Sequence, residues 1–316
     1  MKVGVVFSQA DSGTDPEAIR RWAQRAEAAG FAHILAYDHV LGASVERLGP
    51  GPFGPFPNAP YTAEHTFHEI LVLFSHLAAV TTTIELATSV LVLPQRQTAL
   101  AAKQIATVDL LSGGRMRVAV GAGWNFAEYQ GLGVDFDDRP GRLEEQIEVL
   151  RKLWSEPLVT YRGRYHDLDR VGINPLPSRK IPIFVGSGAA DPVLRRVVRV
   201  ADGWMPLLLP GLDHITVAAG VSRLRQLCEE AGRDPATLPI HGRIYLGEGW
   251  QRELEQAVEL GFADLSIGFN RLADPGRSHD EHLDHAISAL QEIRVHLPSD
   301  VPNDLPSDLP VKEVPA

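Results

Sequence analysis

At 316 residues, with 44% hydrophobic and 22% charged side chains, the chain has the balance of an ordinary globular protein, long enough for one large barrel or two smaller domains. Its 30 Lys and Arg against 40 Asp and Glu give a net charge of -10. This disfavours nucleic acid and anionic membranes as partners, since both are bound through clustered basic residues. The single cysteine, Cys228, excludes an intrachain disulfide and a multi-cysteine metal site, and reads as a small buried apolar residue.

Strand-like and helix-like segments alternate from the start. Residues 3–7 form an apolar strand too short for a signal peptide, and no apolar run reaches the length of about 20 residues that a bilayer span needs, so a cytoplasmic protein is expected. Asp15-Pro16-Glu17 then caps a helix that stops at Gly30. A second strand over 34–37 ends in Asp38-His39. The loop over 42–61, rich in proline and aromatics, is too long for a plain connector and reads as a lid or binding loop. Helix 66–80, strand 84–93 with Thr88-Ser89-Val90, and a helix over 98–111 follow. Strand 116–120 comes next, ending in Gly121-Ala122-Gly123, with helix 142–154 after it.

The alternation breaks over 159–177, where Tyr161-Arg162-Gly163-Arg164-Tyr165 predicts a hairpin. It resumes with strand 181–185, Gly186-Ser187-Gly188 and a helix over 191–201. Strand 204–208, helix 217–231, strand 240–246, helix 252–260, strand 264–269 and helix 281–297 complete the pattern. Eight strand–helix units predict a (β/α)8 TIM barrel with insertions in its βα loops, as one domain over 1–297; a doubly wound sheet is the alternative. The Pro- and Asp-rich tail over 298–316 has little to bury and is expected to be extended or disordered.

Active sites of such barrels lie at the carboxyl ends of the strands. Those ends carry Gln9, Asp38-His39, Ser89-Val90, Gly121 to Gly123, Gly186 to Gly188, Pro206 and Gly247, a set poor in titratable groups. No zinc-protease motif, acid pair, nucleophile elbow or Walker loop is present. Glycines, small residues and aromatics instead suit a ring cofactor that carries the reaction itself. His39 is the candidate proton-transfer group; the Asp38-His39 pair reads equally as a structural network. Gly186-Ser187-Gly188 before a helix is either a phosphate site or a tight βα turn. Trp124 and Asn125 could flank a ring or substrate, or pack. His65, His68 and Glu69 lack a further ligand from a neighbouring strand and read as loop-packing or solvated residues. Arg142 and Glu144 read as helix-start scaffolding.

The ordered set of motifs resembles the bacterial luciferase-like flavin and deazaflavin oxidoreductases. It consists of Tyr37-Asp38-His39, Leu86-Ala87-Thr88-Ser89-Val90-Leu91, Gly121-Ala122-Gly123-Trp124-Asn125, Glu128, Gly133-Val134-Asp135-Phe136, Arg139, Arg142, Ile183-Phe184-Val185-Gly186-Ser187-Gly188 and Ala201-Asp202-Gly203-Trp204. The likeness covers about residues 1–210 and is greatest to the actinobacterial branch assigned to coenzyme F420. It implies a non-prolyl cis peptide at Ser89-Val90, forming a bulge against one face of the ring. It implies a cofactor site of Asp38, His39, Ser89, Val90, Gly121, Ala122, Gly123, Gly186, Ser187 and Gly188, with the phosphate held by the last three. Trp124 and Asn125 then face the substrate, and His39 is the catalytic residue beside the reactive part of the ring.

An F420-dependent oxidoreductase acting on a small organic substrate follows from the resemblance. An FMN-dependent monooxygenase using reduced flavin and oxygen is the alternative, and a non-enzymatic barrel that has lost its cofactor a further one. A homodimer formed through helices of the second to fourth units is also implied. Pro140 departs from the family pattern, which has glycine after Arg139.

Overall fold

The structure, a computed structural model, describes residues 1–48, 61–208, 214–269 and 276–296. Most of the expected lid over 42–61 and the whole tail over 298–316 lie outside the described residues.

Eight parallel strands build the barrel: β1 (Lys2–Val6), β2 (His33–Ala36), β3 (Glu85–Thr88), β4 (Met116–Gly121), β5 (Ile183–Ser187), β6 (Gly203–Pro206), β7 (His241–Leu246) and β8 (Asp264–Phe269). They pair in the order β7-β8-β1-β2-β3-β4-β5-β6. β6 is short and ends in Pro206, which cannot donate to a ladder. The ring therefore closes through a single parallel bridge, Trp204 to Ile240, with the Trp204 N–H 3.0 Å from the Pro239 carbonyl. The (β/α)8 expectation is met.

Each strand is buried on both faces, so its sequence is a nearly continuous apolar run. Val3 and Val5 join the large core beneath the helices, whereas Val6 turns inward with Leu35, Ala119, Phe184 and Met205. Tyr37 and Val90 pack on that inner layer from above. Cys228 is buried, as its apolar reading requires.

The helices begin where their caps allow. Asp15 accepts from the Glu17 N–H at 3.0 Å with Pro16 in the first turn of Pro16–Ala28. The helix expected over 66–80 starts only at Ile70, because the Glu69 carboxylate accepts from the Val72 N–H at 2.8 Å and so ends the preceding turn. The helix expected from Arg142 begins earlier, as Arg139–Ser155. Pro140 sits in its first turn, where no N–H is needed, which accounts for the departure at that position. A short helix, Phe126–Gly131, occupies what reads in sequence as loop. The strand expected over 84–93 is broken after Thr88 and resumes as Leu91–Val92. The predicted hairpin is present, Val159–Arg162 pairing antiparallel with Asp167–Val171.

Candidate active site

The break in the third strand organises the barrel mouth. Ser89-Val90 is a non-prolyl cis peptide, as the family resemblance implies. The Val90 side chain is driven between two neighbouring strands. A Cβ on Gly121 would lie 2.4 Å from Val90 Cγ2, and one on Gly186 would lie 2.2 Å from Val90 Cγ1. Gly123 has φ +65, and a Cβ there would meet Val92 Cγ1 at 2.5 Å. These three positions are glycine because the bulge fills the space of their side chains. Gly188 differs, since nothing lies within 4 Å of a Cβ built on it.

The Asp38-His39 pair divides its tasks. None of the Asp38 side chain is exposed. Its carboxylate accepts from the Val92 N–H at 2.9 Å and from Arg96 Nη2 at 2.7 Å, while Arg96 Nη1 reaches Glu69 at 2.7 Å. Asp38 therefore pins the end of β2 to the segment after the bulge. Its carboxylate is sealed inside the wall and turns no face to the mouth.

His39 is partly exposed in the mouth. Its ring stacks on Tyr61 at 3.8 Å between centroids, with Phe67 edge-on at 5.1 Å and Trp124 at 6.3 Å. Nδ1 lies 3.2 Å from Glu128 Oε2. Glu128, 1% exposed, also accepts from the Val40 N–H at 2.6 Å, the Leu41 N–H at 3.1 Å and the Tyr61 hydroxyl at 2.9 Å. Burial alone would raise its carboxyl, but the His39 hydrogen bond and charge and the two backbone donors outweigh that and hold it below the usual carboxylate value. An ionised Glu128 fixes the proton of His39 on Nδ1 and leaves Nε2 as the atom able to take or give one.

Asn125 is likewise committed to the wall. It is 1% exposed, its Oδ1 caps Phe126–Gly131 by accepting from Ala127 N–H at 3.0 Å, and its Nδ2 donates to the Tyr61 hydroxyl. It holds the Glu128 helix in place and faces no open space. Trp124 and Ala122 remain partly exposed at the mouth. In the Gly186 to Gly188 turn, the Ser187 hydroxyl accepts from Trp204 Nε1 at 3.1 Å, while Gly188 and Ala190 are exposed. The N–H groups of Gly188, Ala189 and Ala190 have no acceptor among the described residues and precede the helix Asp191–Val200. That is the donor set a phosphate ester needs.

The imagined metal set is spent on loop packing. His65 Nδ1 accepts from Thr62 N–H at 2.9 Å, His68 Nε2 lies 3.1 Å from the Gly13 carbonyl, and Glu69 caps a helix and pairs with Arg96. Gln9 is buried and its Oε1 accepts from the His68 N–H at 2.8 Å. Glu144 pairs with Arg196 and Arg199, as its scaffolding role requires.

Three site residues were missed as site residues. Glu128 stood in the family pattern but was given no role, and Tyr61 lay at the end of the aromatic loop. Arg243, like His241, interrupts the apolar pattern of β7. It reaches the Ser89 hydroxyl through Nη2, and Tyr37 and Tyr245 hydroxyls through Nη1 at 3.2 and 3.1 Å. A Cβ on Gly268 would meet Arg243 Cδ and Tyr245 Cδ1, each at 3.2 Å, so that glycine makes room for the pair.

A family model described as luciferase-like monooxygenase matches residues 1–294. The chain belongs to the luciferase-like monooxygenase family. It is therefore an oxidoreductase. An uncharacterized protein of Mycobacterium tuberculosis is 33% identical over 264 residues, covering 83% of this chain and 88% of its own. The FMNH2-dependent dimethylsulfone monooxygenase of Pseudomonas fluorescens is 35% identical over 205 residues, 63% of this chain and 50% of that protein. Among solved structures, an F420-dependent secondary alcohol dehydrogenase in complex with an F420-acetone adduct superposes with a TM-score of 0.72 at 18% identity, covering 93% of this chain and 99% of its own. This last likeness is one of luciferase-like fold.

Proposed function

We propose that this luciferase-like protein is an F420-dependent oxidoreductase that moves a hydride between the deazaflavin ring and a small organic substrate. The observation that carries the reading is the Val90 bulge, seated between Gly121 and Gly186 with His39 and its buried Glu128 also in the barrel mouth. Val90 and Ala122 offer a partly exposed apolar shelf for one face of a flat ring. The free N–H groups at Gly188 to Ala190 would hold its phosphate. When bound, the deazaflavin supplies hydride transfer. His39 Nε2 handles the substrate proton, and Glu128 keeps the imidazole in the right tautomer and balances the charge it gains. Tyr61, Phe67 and Trp124 make an apolar cage around the imidazole and favour a small, uncharged organic group beside it.

The alcohol dehydrogenase neighbour, solved with an F420-acetone adduct, supports F420. The dimethylsulfone monooxygenase, 35% identical over 205 residues, favours a second reading, reduced FMN with oxygen. Titration of the pure protein with each cofactor, followed by ring fluorescence, separates them: micromolar binding of F420 is expected, and binding of FMN with none of F420 overturns the first reading. His39→Ala should bind cofactor normally and turn over about 100-fold more slowly; turnover at the wild-type rate removes the proton role. A homodimer through the helices of the second to fourth units is part of the proposal. Ile70–Val80 exposes Val72, and Thr98–Leu111 exposes Leu100 and Leu111. Sedimentation analysis should give twice the chain mass.

A further inference from the structure

Arg243 is a cation set deep in the barrel mouth with hydroxyl groups around it and, among the described residues, no carboxylate in contact. Its partners are Ser89, Tyr37 and Tyr245, and its guanidinium lies 5.1 Å from the Tyr37 ring centroid. Nε is buried without a partner. Tyr245 passes its own proton to the Leu208 carbonyl at 3.0 Å, so its oxygen is turned to Arg243 as an acceptor. Arg117, the other arginine carried on a barrel strand among the described residues, differs in being matched by Asp264 at 2.9 Å. Burial disfavours the guanidinium charge, but the Tyr245 and Tyr37 oxygens hold it above the ordinary arginine value, so it stays protonated. An unbalanced buried charge is costly unless a ligand balances it.

The position of this charge is informative. Arg243 holds the hydroxyl of Ser89, the first residue of the bulge, and Ser89, Val90, Tyr37, Tyr245 and Arg243 are all partly exposed. The cation thus lies beside the shelf on which the proposed function places the ring. A bound hydride-accepting ring would gain two electrons with one proton and so carry one added negative charge, which a cation beside it would balance. The substrate is oxidised by the same two electrons and gives its remaining proton to His39.

We infer that Arg243 is the counter-cation for the negative charge of the reduced cofactor, so that the protein binds the reduced ring in preference to the oxidised one. The inference rests on the cofactor reading above. Guanidinium is suited to this because it stays charged while donating in one plane to a flat, delocalised anion.

The test compares affinities for oxidised and reduced F420, and for both forms of FMN, in the wild type, Arg243→Met and Arg243→Lys, with circular dichroism to check folding. The wild type is expected to favour the reduced form, and Arg243→Met to lose about tenfold of that preference, about 30 mV for a two-electron couple. Arg243→Lys should keep part of it. Arg243→Gln, polar but uncharged, gives the same reading should the methionine variant fail to fold. An unchanged ratio in the folded uncharged variant overturns the inference and leaves the cofactor reading intact. Thermal stabilisation by acetate that requires Arg243, with the ratio unchanged, reassigns the cation to a substrate anion and equally overturns it. A wild type that binds neither cofactor defeats the proposed function and this inference with it.

Discussion

The two ends of the barrel interior handle charge in opposite ways. At the amino-terminal end Arg117 pairs with Asp264 at 2.9 Å, Lys2 with Glu85 at 3.0 Å, and the buried His33 and His241 share the Ser266 hydroxyl, each Nε2 at 2.8 Å. At the carboxyl end Arg243 has only hydroxyl partners, and His39 and Glu128 form a pair open to the mouth. The cavity of about 370 Å³ lined by Lys2, Glu85, Arg117, Phe184 and Asp264 lies at the first end, among groups already matched to each other. Among the described residues, Arg117 at one end meets a carboxylate and Arg243 at the other meets only hydroxyl groups.

This contrast yields predictions of decreasing size. Arg117→Met should destabilise the protein by about 3–5 kcal/mol, because it strands the buried Asp264 carboxylate, and should leave cofactor affinity unchanged; chemical denaturation and cofactor titration check both halves. The histidine pair gives a pH-dependent effect of comparable size at pH 5. Burial holds His33 and His241 well below 6.5, so the native state refuses protons that the unfolded chain accepts. Stability is therefore full above pH 6.5 and falls below it, by up to about 1.4 kcal/mol per pH unit for each histidine. The His33→Gln, His241→Gln double variant should flatten the fall in melting temperature between pH 6.5 and 5. Arg243→Met should cost least, within about 1 kcal/mol, since only hydroxyls are left behind. A loss as large as that of Arg117→Met would erase the contrast between the two ends.

Much of this was legible in sequence, for identifiable reasons. Strand and helix alternation marked all eight units because a parallel strand buried on both faces reads as an apolar run, and caps such as Asp15 marked helix starts. The glycines at 121, 123 and 186 were visible as a group, but their cause was not. They yield to Val90 and Val92, residues of another strand, and no local pattern records that. Asp38 and His39 look like one motif because they are adjacent in sequence. Only the Arg96 and Glu128 partners, 58 and 89 positions away, show that one is wall and the other site. Arg243 lies 154 positions from Ser89, and its meaning needs the closed barrel.

The central claim is that the ring site is built on the Val90 bulge. Gly186→Ala tests it without touching a charged or hydrogen-bonding side chain, because the new Cβ must displace Val90 from between its strands. Fluorescence titration with F420 of the wild type, Gly186→Ala, and Gly186→Ala combined with Val90→Ala is the decisive measurement. The account predicts micromolar binding by the wild type, a loss of tenfold or more in the single variant at a stability cost of about 1–3 kcal/mol, and partial recovery in the double variant. Equal F420 affinity in the wild type and a folded Gly186→Ala protein would contradict it.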